Sequence, residues 1–152
     1  MFRNIHILLV EDDDVDVEYI QRSFKKRNFN VVVVRVPDGV EALNVLRRQS
    51  HLTIAYPYLI LLDMQLPRMN GREFLQELRD DAELKGSTVF VLTQSVNEQD
   101  RKVAYDAGVA GYIKKDDDGE CYQQLVELLK SYLLITFPFT QYLFQEPLPQ
   151  LT

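Results

Sequence analysis

The chain predicts a doubly wound α/β fold built on a five-stranded parallel sheet with five helices. Three observations predict it: five short apolar runs without polar alternation, a helix-period segment after each run, and a length of 152 residues, about one domain. The first run, 5–10, is apolar apart from His6, and the second, 31–36, is valine but for Arg35. Runs 59–62 and 89–92 are wholly apolar, and 110–113 is weaker, carrying Gly111 and Tyr112. Runs of this length fit strands buried on both faces of a sheet. Between them, Val17, Ile20 and Phe24 mark the first helix, Ala42, Leu43 and Leu46 the second, and Phe74, Leu75 and Leu78 the third. Val103, Ala104 and Ala107 mark the fourth, with Gly108 where a helix C-terminus takes a left-handed residue. Leu125, Leu128, Leu129, Tyr132 and Leu133 give the fifth a continuous stripe.

Composition narrows the function classes. Lys and Arg number 17 against 23 Asp and Glu, a net charge of −6, which argues against a general nucleic-acid binder. The single cysteine, Cys121, permits no internal disulfide and suits a reducing compartment. No apolar run approaches the ~20 residues that span a bilayer, and the N-terminus has no signal-like stretch. A cytoplasmic chain away from membranes is expected, with residues 1–135 as the domain. The remaining 136–152 change character: they hold Phe137, Phe139, Tyr142 and Phe144, prolines at 138, 147 and 149, and one charge, Glu146. That segment reads as a tail packed on its own domain, a disordered end, or an oligomer interface.

In a doubly wound sheet every strand's C-terminal end lies on one edge, where ligands bind. Glu11 and Asp12 end the first strand, Asp63 the third, Thr93 the fourth and Lys115 the fifth. A flavodoxin-like order, 2-1-3-4-5, taken over from folds of this type, sets the first and third strands side by side. Two carboxylates about 4 Å apart repel by roughly 4 kcal/mol at an effective dielectric near 20, so three of them need a cation or a proton. Hard oxygen ligands with room for water suit Mg²⁺. A carboxylate beside such an ion can attack a phosphoryl group, while Lys115 pairs with the new charge and the Thr93 hydroxyl bonds a phosphoryl oxygen. Each residue also has a plainer reading. The run 11–18 holds six acids in eight residues, as a helix N-terminus favours. Asp63 can start a turn, Thr93 can cap the next helix, and Lys115 can be solvated. The convergence of all of them on one rim favours the chemical reading.

At these residues the chain resembles the receiver domain of two-component response regulators, over about 5–133. The motifs are Ile7-Leu8-Leu9-Val10-Glu11-Asp12-Asp13, Leu61-Leu62-Asp63-Met64-Gln65-Leu66-Pro67 with Asn70-Gly71, Val91-Leu92-Thr93, and Ala107-Gly108 through Gly111-Tyr112-Ile113-Lys114-Lys115. The resemblance implies that Asp63 is the phosphoacceptor. Asp12 and Glu11 would be Mg²⁺ ligands, Glu11 partly through water, with the Gln65 backbone carbonyl as the third protein ligand. Thr93 and Tyr112 would be the switch pair and Lys115 the phosphoryl-pairing lysine. A histidine kinase would supply the phosphoryl group, and the helix four, strand five and helix five face would change partners. A stand-alone receiver is implied, similar to the small regulators of cyanobacterial phytochrome kinases, which raises the dimer-interface reading of the tail.

Two departures stand out. Receivers usually carry Pro after the pairing lysine, in a cis bond, whereas Asp116 follows Lys115 here. The loop Asp116-Asp117-Asp118-Gly119 is therefore expected to hold Lys115 differently, with its acids competing for the amine. Gln94 replaces a common alanine and is expected to restrict water at the acyl phosphate. His6 and His51 lack partners at triad or zinc spacing and read as structural. The stretch 116–127 fails as a calcium loop because Cys121 stands where Gly is required. A phosphohydrolase with an aspartyl nucleophile needs a second acid at the position Gln65 holds. The remaining alternative is a phosphorylation-independent interaction module, whose partner binding would survive Asp63→Ala.

Overall fold

The computed structural model describes residues 5–94 and 96–136, the side chains of 134–136 excepted. Five strand–helix units follow one another: β1 His6–Val10, α1 Asp14–Lys26, β2 Val32–Val36, α2 Gly39–Leu46, β3 Tyr58–Leu62, α3 Gly71–Asp80, β4 Thr88–Thr93, α4 Glu98–Asp106, β5 Gly111–Lys114 and α5 Glu120–Thr136. All strand pairs are parallel, and the order is β2-β1-β3-β4-β5, as expected from the sequence.

Alternation along the three central strands splits the core into two layers. Ile7, Leu9, Leu59, Leu61, Phe90 and Leu92 face α1 and α5, where Ile20, Phe24, Leu125 and Leu129 meet them. Leu8, Val10, Ile60, Leu62, Val89 and Val91 face α2, α3 and Ala104 of α4. Burial on both faces holds only for those strands. β2 and β5 are sheet edges and stay partly exposed, which corrects the uniform burial expected of all five. The α5 stripe also shifts: Tyr122, Leu125, Val126, Leu129 and Leu133 are buried, while Leu128 faces out at 43% exposure.

Helix starts follow local side-chain chemistry. Asp13, Asp38, Asn70 and Asn97 cap α1 to α4, each accepting backbone N–H bonds of the first turn, and Asn70 with Glu73 completes a capping box. Thr93 therefore caps nothing. Gly108 takes φ +72° just past α4, the left-handed conformation expected there. Gly71 is required for a different reason. A Cβ there would stand 2.7 Å from the Met64 backbone, so the loop after β3 could not close onto α3. Among the described residues no helix is long and apolar enough to cross a membrane. The expectations for residues 136–152 lie outside the described residues, apart from the end of α5.

Candidate functional site

The sheet itself aims the polar residues. Its ladder continues one step past the strands: the Glu11 N–H donates to Val36 O at 3.0 Å, the Asp63 N–H to Val10 O at 3.0 Å, and the Lys115 N–H to Thr93 O at 2.8 Å. Positions 11, 63 and 115 are thus fixed by backbone register, although 104 residues separate the first from the last. Lys115 lies one residue beyond β5 rather than ending it. Thr93 is the last residue of β4.

Glu11, Asp12 and Asp63 each bring a carboxylate oxygen to within 4.8 Å of the others, Glu11 and Asp63 buried and Asp12 exposed. The donor set is all oxygen and anionic, with one member open to solvent. It fits a hard divalent cation that keeps part of its water shell. The Gln65 N–H donates to Asp63 Oδ1 at 3.0 Å, so Asp63 is also the turn acid of its loop. That bond leaves Oδ2 for Lys115, 3.1 Å away.

Lys115 is only 4% exposed and is not a solvated lysine. Its ammonium lies 3.1 Å from Glu11 Oε2 and 2.9 Å from Asp16 Oδ2, besides Asp63. The loop acids 116–118 do not take part, contrary to expectation: Asp116 accepts the Cys121 N–H at 3.0 Å, and Asp117 and Asp118 face solvent. The bond between Lys115 and Asp116 is trans. Asp16 was hidden in the acidic run. It is the third helical residue of α1, on the same face as Ile20, and its position four residues before a buried isoleucine was the available signal. Tyr122, at the head of the buried α5 stripe, donates its hydroxyl to Asp16 Oδ1 at 2.8 Å.

One ammonium cannot neutralise this many acids. Burial and the nearby Asp63 charge push the Glu11 carboxyl up to about 9, against the pull of Lys115. Burial opposes the charge on Lys115, but Asp63, Asp16 and Glu11 outweigh it and hold its pKa above the ordinary value. Burial likewise raises Asp16, yet bonds from Lys115 and Tyr122 carry it below the usual range. Burial and the Asp16 bond raise the Tyr122 phenol.

Two hydroxyls beside this cluster are buried without a hydrogen-bond partner among the described residues: Thr93 Oγ1 and Tyr112 Oη. Thr93 is wholly buried, and Tyr112 lies one strand over, its side chain tilted against Tyr105 at 6.5 Å between centroids. A buried, unpaired hydroxyl costs about 1–3 kcal/mol, so each calls for a physical reason. His6, by contrast, accepts the Ala55 N–H through Nδ1 at 3.3 Å, a structural role as expected.

A parallel doubly wound sheet with an acid cluster where β1 and β3 lie side by side, a buried lysine and an unpaired hydroxyl is the architecture of a signalling receiver domain. The chain belongs to the response regulator receiver domain family, which matches residues 7–127. It is 34% identical over 131 residues to response regulator Rcp1 of Synechocystis sp. (strain ATCC 27184 / PCC 6803 / Kazusa), covering 86% of this chain and 89% of that one. The Mn²⁺-bound form of Rcp1 superposes with a TM-score of 0.74 at 33% identity, over 87% of this chain and 96% of that one. The phosphorylated cyanobacterial phytochrome response regulator RcpA gives 0.77 at 38% identity, over 87% and 95%. The probable methanogenesis regulatory protein FilR2 of Methanothrix harundinacea (strain 6Ac) is 34% identical over 128 residues, 84% of this chain and 83% of that one. The phytochrome-type regulators are thus one group among its relatives. As a receiver domain the chain is a signalling protein of two-component systems.

Proposed function

We propose that the chain accepts a phosphoryl group on Asp63 from a histidine kinase, with Mg²⁺ held by Asp12, Glu11, Asp63 and the Gln65 backbone carbonyl. The supporting observation is the shared pocket of Glu11, Asp12 and Asp63 with Lys115 on Asp63 Oδ2. When bound, the cation supplies charge to offset the incoming phosphoryl oxygens. An Asp63 oxygen forms the new O–P bond as the P–N bond of the kinase phosphohistidine breaks, its electron pair leaving on the imidazole nitrogen. Lys115 then pairs with the phosphoryl oxygens, and the unpartnered Thr93 hydroxyl donates to one of them. Movement of Thr93 changes the space beside the Tyr112 ring, whose hydroxyl is already buried, and the ring's response alters the surface formed by α4, β5 and α5.

The kinase is of the phytochrome type in this reading, by similarity to Rcp1 and RcpA, and the setting is cytoplasmic. Acetyl phosphate with Mg²⁺, followed by intact mass, tests the core of the proposal. The chain should gain one phosphoryl group, Asp63→Asn should gain none, and chelator should abolish the gain. Labelling of Asp63→Asn, or none of the wild type, overturns it. Self-association through residues 136–152 belongs to the same reading. A chain ending at Ile135 should elute as a monomer where the full chain elutes as a dimer.

A further inference from the structure

The geometry points to Asp16, clamped by Tyr122, as the positioning residue that keeps the Lys115 ammonium in the site throughout the phosphorylation cycle. The inference rests on the phosphoacceptor reading above and adds a residue to it. Lys115 has three carboxylate partners, and two of them have competing tasks. Glu11 and Asp63 belong to the cluster that suits a divalent cation, and Asp63 must also present an oxygen to phosphorus. Asp16 lies outside that cluster and makes the shortest of the three contacts, 2.9 Å. It alone can hold the amine whether the other two are free, coordinated or esterified.

Asp16 is built for this task rather than for capping its helix. As the third residue of α1 it sits where a capping-box acid would reach back to the cap's own N–H. Here the Asp13 N–H goes instead to Glu11 Oε1 at 3.3 Å, and the Asp16 side chain turns inward. Its Oδ2 takes Lys115 and its Oδ1 takes the Tyr122 hydroxyl, so both oxygens are fixed. Tyr122 is itself immobilised: it is 2% exposed, and Tyr19 stacks on it at 5.9 Å with rings 10° apart. α1 and α5 together therefore aim the lysine from behind. The loop that follows Lys115 adds no carboxylate to its amine.

Two measurements on the full chain test this, with Mg²⁺ present. In ¹⁵N-lysine NMR an immobilised, exchange-protected ammonium gives its own signal, assigned by its loss in Lys115→Ala. The signal should be present in the wild type, shift in Tyr122→Phe and vanish in Asp16→Asn, while the amide spectrum remains that of the folded chain. In acetyl phosphate labelling, Asp16→Asn should slow the maximal rate about tenfold with Lys115 present and by less than twofold in Lys115→Ala. A structural defect would slow both backgrounds alike. A Lys115 signal that survives Asp16→Asn, or is missing from the wild type, overturns the inference, as does an equal slowing in both backgrounds. A wild type that takes up no phosphoryl group overturns the phosphoacceptor reading instead, and the ammonium signal then judges Asp16 alone.

Discussion

Replacing Thr93 by valine should make the resting protein more stable, because the hydroxyl it removes is buried and unpaired. Thr93 Oγ1 has no partner among the described residues and the side chain is fully enclosed. Such a group carries a desolvation penalty of about 1–3 kcal/mol. Valine keeps the branched shape and puts a methyl where the oxygen was. The low end of the range applies because the pocket was shaped around oxygen, so the expected gain is about 1 kcal/mol. With a urea slope of ~2 kcal/mol/M the midpoint should rise by about 0.5 M, followed by circular dichroism without phosphoryl donor. Thr93→Ser keeps the hydroxyl and loses the methyl, so its midpoint should fall. The same Thr93→Val protein should lose the conformational response to phosphorylation, since no hydroxyl remains at the end of β4 to be drawn to the new oxygens. A Thr93→Val midpoint at or below the wild type would refute the reasoning. The hydroxyl would then be satisfied already, not held in reserve.

Four other outcomes are expected. Arg79 donates to Ala107 O at 2.6 Å and to Ser87 O and Lys85 O at 2.7 Å, tying α3 to the loops before β4 and β5. Arg79→Ala should cost about 3 kcal/mol by urea unfolding, with acetyl phosphate labelling of folded protein unchanged. Gly71→Ala drives a methyl against the Met64 backbone and should lower the urea midpoint well beyond the effect of Gly86→Ala, where a Cβ meets nothing within 4 Å. Glu11, pushed from 4.5 up to about 9, binds its proton more tightly folded than unfolded. Its contribution in metal-free buffer is therefore present below the ordinary glutamate value and lost as pH rises through about 9. Glu11→Gln should flatten that slope in pH-dependent unfolding. Gln94→Ala should shorten the lifetime of the phosphorylated state, followed by decay of the labelled mass.

The fold was legible because each strand is a short apolar run and each helix carries an apolar stripe at helical spacing. The strand order was borrowed, and the sheet bears it out. Edge burial was not legible, since 31–36 reads like a central strand until its neighbours are known. The site was legible wherever backbone register alone aims a side chain, as at Glu11, Asp63 and Thr93. It was illegible where two helices must meet: Asp16 and Tyr122 are 106 positions apart, and no spacing rule joins them. The loop acids after Lys115 misled for the converse reason, being near in sequence but turned outward.

The extended ladder has a consequence for how the protein acquires its chemistry. No fragment holds the pocket: its groups come from the first, third and last strand units, and the lysine is braced from the first and last helices. A nascent chain lacking α5 would carry Lys115 but not the Tyr122 hydroxyl that fixes Asp16, so the ammonium would lack its brace. The full set of contacts around the lysine therefore closes only when the last helix packs against the first.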